Sequence, residues 1–158
     1  MPDLQKKPRK PIWFIALICE HIVHEKEDEV LSAFRIVDVF YVATRPELPA
    51  EKQAIMLQVL VMSRFPIDDD SEHTLEIFLE RPDGETQSFG EAFKSKAQLG
   101  VGKNIPGHPP GINLKLRAGV TTRTLGLHHV RVDLDGEEIS RIPFTLHERL
   151  FPEVPKHS

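Results

Sequence analysis

From Ile112 to Val120 every second residue is apolar: Ile112, Leu114, Leu116, Ala118 and Val120, with Asn113, Lys115 and Arg117 between them. A period of two puts the apolar set on one face of a strand, whereas a helix would scatter it around its circumference. The pattern returns between Leu125 and Leu134, where Val130, Val132 and Leu134 alternate with Arg131 and Asp133. Asp135-Gly136 follows, a favoured two-residue hairpin turn, and Glu137 to Leu146 runs back antiparallel. Pro143 has no N–H to give to a ladder, which predicts an edge strand or a bulge at that point.

The rest of the chain adds strands, not long helices. Segment 12–24 is almost entirely apolar and β-branched or aromatic, the composition of a strand at the centre of a sheet and covered on both faces. The acidic run Glu25 to Glu29 reads as a turn, and Val30 to Val42 as a second long strand. Residues 43–53, with Pro46 and Pro49, form a loop with room for one helical turn. Segment 54–65 admits a helix through Met56, Leu57, Leu60 and Met62, but Ile55, Leu57, Val59 and Val61 alternate, and strand is preferred. His73 to Glu80 alternates again, and Pro82-Asp83-Gly84 turns it into a hairpin with residues 85–90. A long connection over 91–109 holds a helical turn near Glu91 to Lys96. About seven or eight strands joined mainly by turns specify an all-β, antiparallel two-sheet sandwich, immunoglobulin-like or C2-like, with at most short helical turns. The chain divides into a basic flexible arm (1–11), the sandwich (12–147) and a loose tail (148–158).

Composition narrows the function classes. The 158 residues suffice for one domain with its own core, and a net charge of −4 argues against general nucleic-acid binding, which needs a surplus of Lys and Arg on one face. Cys19 is the only cysteine, so no internal disulfide forms and a reducing, cytoplasmic setting fits. Lys6, Lys7, Arg9 and Lys10 before an apolar run superficially resemble an export signal. The run is short, lacks small residues before a cleavage point and continues as strand. No stretch approaches the roughly 20 apolar residues that span a bilayer, so no membrane partner is expected.

Three constellations suggest chemistry. Ala97 to Asn104 nearly matches a phosphate-binding loop, but Asn104 stands where Ser or Thr would hold magnesium, and Ile105-Pro106-Gly107 stands where a helix should begin. The loop containing Asp68, Asp69, Asp70, Glu72 and His73 could supply oxygen ligands to calcium, although three adjacent carboxylates diverge. His21 with His24 and His128 with His129 sit at spacings that face opposite sides of a strand, which leaves only a cross-strand site such as His21 or His73 against His128. Cys19, in a strand expected to be buried, reads as a small apolar side chain rather than a nucleophile.

Ala16-Leu17-Ile18-Cys19-Glu20-His21 followed by Leu31-Ser32-Ala33-Phe34-Arg35-Ile36 resembles the opening of a family of small, uncharacterised bacterial proteins that are all-β and of unknown function. Gly126 to Glu137, continuing through Ile142-Pro143-Phe144, is similar to that family's final hairpin and to those of immunoglobulin-like domains in general. The resemblance implies a compact β-sandwich and carries no activity or catalytic residue. The expected function is a non-catalytic protein-interaction or assembly module, binding a protein partner or its own copy through an exposed sheet edge or face, with no cofactor. The alternatives are a calcium- or carbohydrate-binding sandwich using the Asp68 to His73 loop, and a hydrolase with a cross-strand His and carboxylate site.

Overall fold

The computed structural model describes residues 9–25, 30–43, 53–99, 106–121 and 123–149. Among them lie ten strands: β1 (Trp13–Glu25), β2 (Val30–Ile36), β3 (Val39–Val42), β4 (Ala54–Arg64), β5 (Glu72–Glu80), β6 (Thr86–Ser88), β7 (Phe93–Lys96), β8 (Gly111–Thr121), β9 (Gly126–Leu134) and β10 (Glu137–Glu148). They form a four-stranded sheet in the order β2-β1-β4-β8 and a six-stranded sheet in the order β3-β10-β9-β5-β6, with β7 on the same edge of β5 as β6. The all-β two-sheet expectation holds, and β1 lies inside its sheet. Every pairing is antiparallel except β3 on β10.

Alternation decides what each strand buries. Leu57, Val59 and Val61 of β4 with Ile112 and Val120 of β8 meet Leu75, Ile77 and Leu79 of β5 and Val130, Val132 and Leu134 of β9 in one core. Phe65, Phe144 and Leu146 close it. The segment that could have been helical is a strand because it pairs along its whole length with β8, from Ala54 opposite Thr121 to Arg64 opposite Gly111.

Three local expectations are corrected. Val30 to Val42 is not one strand. Arg35 sits at φ 54°, in the left-handed region, and the chain leaves the first sheet after Ile36 and joins the second as β3. The Thr145 N–H donates to the Asp38 carbonyl at 2.7 Å and starts the parallel pairing. One apolar run therefore serves two sheets: Phe34 and Ile36 are exposed, whereas Phe40 and Val42 pack on the core. Residues 93–96 form β7 against Glu72 to Leu75 in place of a helical turn. Pro143 lies in β10 just before the stretch that pairs with β3, so its missing N–H costs no ladder bond, and the irregularity in β10 falls between Glu138 and Ser140. The possible helical turn at 43–53 and the loose tail fall mostly outside the described residues, as do Gly100 to Ile105 of the phosphate-loop candidate.

Candidate functional site

The acidic loop after β4 and the turn between β9 and β10 meet over one histidine. The His73 ring is wholly buried and stacks on Phe65 with ring centres 4.0 Å apart. Its Nδ1 lies 2.8 Å from Asp135 Oδ2 and its Nε2 lies 3.0 Å from Asp69 Oδ2. A neutral imidazole has one N–H and one lone pair, so only the doubly protonated ring donates to both carboxylates. Each carboxylate has further support. Asp69 accepts the Ser71 N–H at 3.0 Å and Asp135 accepts the Thr74 N–H at 2.8 Å. Burial works against charge on Asp69, but the bonds from Ser71 and His73 outweigh it and hold the carboxyl below its ordinary range. Asp135 itself takes φ 53° beside Gly136 at φ 79°, the left-handed pair a tight hairpin turn demands.

Of the five residues the sequence offers for calcium, only Asp69 and His73 come together. Asp70 and Glu72 are exposed, and Asp68 is bound by Arg9 at 2.7 Å. Among the described residues no three His, Cys, Asp or Glu side chains are placed to hold a metal ion. Sequence reasoning missed Asp135, which was read only as a turn former. It lies 62 residues from His73, and the signal that could have found it is the β5–β9 register, with Leu75 opposite Leu134.

The same register separates the histidines proposed as a cross-strand pair. Glu80 pairs with His129, so His128 sits at the far end of β5 from His73. The buried His128 ring stacks on Phe144, and its Nδ1–H donates to the Gly126 carbonyl at 2.9 Å. Burial pushes its basicity down. The His73 ring, enclosed and bonded at both nitrogens, has no face or atom left for a substrate.

A cleft of about 170 Å³ opens on the outer side of Asp135, lined by Arg9, Lys10, Leu134, Asp135, Glu137 and Ile139 among others. Lys10 reaches Glu137 at 3.1 Å and Arg9 reaches Asp68, so both cations beside the cleft are engaged by the protein's own carboxylates.

The two outer sheet faces differ sharply. On the six-stranded sheet, Glu80 accepts from Arg131 at 3.0 Å and from Arg141 at 2.7 Å, while Arg131 also meets Asp133 and lies over the Phe78 ring. That face is ionic and suits water. On the four-stranded sheet the register aligns Ile15 with Met62 and Leu17 with Leu60, and continues through Cys19 to Ile36 and His21 to Phe34. Trp13, Phe34, Ile36 and Met56 are 45%, 50%, 68% and 49% exposed around it. Gln58 is polar there for a local reason. Its side chain accepts the Ile22 N–H and donates to the Glu20 carbonyl, continuing along β1 where the β4 backbone stops pairing.

Cys19 lies on this sheet fully buried, with Sγ–H donating to the Gln58 carbonyl at 3.8 Å, and burial pushes its thiol up. Since only the thiolate reacts, native protein is expected to resist a thiol reagent at neutral pH and to consume one equivalent in denaturant. Prompt reaction of native protein in a time course would refute this placement.

Among the described residues no helix is long and apolar enough to cross a membrane. No curated protein matches the chain. Among solved structures, it is similar to a β-glucosidase from Listeria innocua in complex with glucose, at 8% identity, with a TM-score of 0.44, over 85% of this chain and 16% of that one. It is also similar to the Pseudomonas fluorescens alkylpurine DNA glycosylase AlkC bound to DNA containing an abasic site analog, at 13% identity, with a TM-score of 0.36, over 70% of this chain and 27% of that one. The chain thus spans well under a third of the length of either structure. A family model matches residues 15–147, nearly the whole sandwich, and the chain belongs to that family of unknown function, DUF6941.

Proposed function

We propose that this chain is a non-catalytic assembly module of the bacterial cytoplasm that pairs with a second copy through the outer face of its four-stranded sheet. The observation that carries the reading is the apolar face built by Ile15, Leu17, Met56, Met62, Phe34 and Ile36. A solvated antiparallel sheet alternates apolar-in with polar-out, as the ionic face of the other sheet does. β1 instead carries apolar residues on both faces, and only one of them packs on the core. Contiguous apolar surface of this kind marks a contact site.

A second copy suits the face because its centre, with Ile15, Leu17 and Met62 half-buried around the buried Leu60, carries no charge. An isologous contact centred between β1 and β4 brings these uncharged rows together. The cations lie at the margin: Arg64 rests over Trp13, and Lys115 and Arg117 project from β8. Sheet-on-sheet packing is also the packing the domain already uses internally. The single thiol supports the reducing compartment.

Analytical ultracentrifugation of the full chain is expected to show a dimer at high micromolar concentration. Phe34→Glu with Ile36→Glu, both at exposed positions, is expected to give monomer with an unchanged fold by circular dichroism. Wild-type protein that stays monomeric overturns the reading.

A further inference from the structure

We infer that the free edge of β8 is a strand-addition site for an extended partner segment with acidic residues at alternate positions. The inference rests on the reading of this chain as an interaction module, but it does not require the apolar face to dimerise.

β8 ends the four-stranded sheet and pairs with β4 along its full length, while among the described residues its other side pairs with Gln98 at Gly111 alone. That single contact is an isolated antiparallel bridge, with backbone groups of Gly111 turned to the open side. The Gln98 N–H donates to the Gly111 carbonyl and the Gly111 N–H to the Gln98 carbonyl, each at 2.9 Å. Alternate residues of an antiparallel strand turn their backbone groups to the same side. The N–H and C=O groups of Asn113, Lys115, Arg117, Gly119 and Thr121 therefore follow Gly111 to the open side. Among the described residues no strand takes them up. A row of unpaired donors and acceptors over a strand this long is a template for another chain.

Side chains define which chain. Asn113, Lys115 and Arg117 point to the outer face, and Asn113 already accepts from Arg64 at 2.9 Å. Lys115 and Arg117 are exposed, two residues apart on the same face. A second copy adding antiparallel about Leu116 would set Lys115 opposite Arg117, and opposed like charges disfavour pairing. A strand with carboxylates at two alternate positions reverses the sign of both contacts. The other face of the added strand would lie beside Leu114, Leu116 and Ala118, which point into the sandwich yet stay only partly buried. The partner is thus read as alternating acidic and apolar residues, with the acids outward.

The test uses full-length protein and two synthetic ten-residue peptides, one alternating Glu and Val, the other Lys and Val. The Glu peptide is expected to bind by fluorescence anisotropy and to slow amide exchange at Lys115 and Arg117. Binding about tenfold or more weaker is expected for the Lys peptide, and for the Glu peptide with the Lys115→Glu and Arg117→Glu double variant. Lys115→Pro removes one edge N–H without touching the β4 ladder and is expected to weaken binding while leaving the melting temperature in place. Failure of the Glu peptide to bind, equal binding of both peptides, or indifference to charge reversal overturns the inference. So does concentration-dependent protection of these amides with no peptide present, which would make a second copy the occupant. A monomeric protein that binds the Glu peptide refutes the proposed dimer alone.

Discussion

Replacing His73 with leucine is expected to cost about 3 kcal/mol of folding stability, because it leaves the enclosed Asp69 carboxylate without the hydrogen bond that the ring supplies. Leucine fills the space against Phe65, so the loss reports the hydrogen bonds rather than a cavity. Asp135→Asn is expected to cost far less. Asparagine still accepts the Thr74 N–H, tolerates the left-handed turn position, and replaces a carboxylate that is 20% exposed. The pH dependence has a definite sign. Asp69 is held below the ordinary carboxylate range, so at mildly acid pH the unfolded chain binds the proton that the native chain refuses. Its contribution is complete above its unfolded value, about pH 3.9, and is lost as pH falls through the lower folded value. Urea titrations from neutral to strongly acid pH should show this limb in the wild type and a flatter one in Asp69→Asn. A His73→Leu midpoint within error of the wild type would show that the buried triad is not holding the loop to the hairpin.

That triad also marks where sequence reasoning stops. Period-two alternation exposes the strands because each side chain is read against its immediate neighbours, as in β8, β9 and β5, and Asp135-Gly136 announces its turn in two letters. Asp69 and His73 were visible as a polar cluster for the same reason. Asp135 was not, since its part depends on β5 lying beside β9 in one register, a fact stored in no local pattern. The break between β2 and β3 was hidden likewise. Phe34, Ile36, Phe40 and Val42 read as one strand, and only the presence of two sheets gives the run a reason to change sides. Segment 12–24 reads as a central strand covered on both faces; it is central, but only one of its faces packs on the core. The other face carries the half-buried Ile15 and Leu17 and the buried Cys19, a division that two-residue alternation alone does not reveal.

Phe144→Ala is expected to cost about 3–5 kcal/mol and to loosen β3 ahead of the rest of the domain. The ring is 1% exposed, meets Phe40 edge-on with centres 5.8 Å apart, and stacks on His128 at 5.2 Å. Truncation opens a cavity beside β3, whose hydrogen-bonded neighbour among the described residues is β10. Phe40→Ala, at a partly buried ring, is expected to cost less. A second readout separates this from a generic core defect. Burial depresses the basicity of His128, so the unfolded chain takes up a proton first and wild-type stability declines as pH falls below about 6.5. Removing the ring that covers the imidazole lets water reach it, and the decline in Phe144→Ala should be shallower. Denaturant titrations at several pH values measure both effects, and amide exchange at Val39 to Val42 tests the local release. Uniform exchange across all strands, with an unchanged pH slope, would mean that Phe144 supports the core as a whole and that β3 is fastened elsewhere.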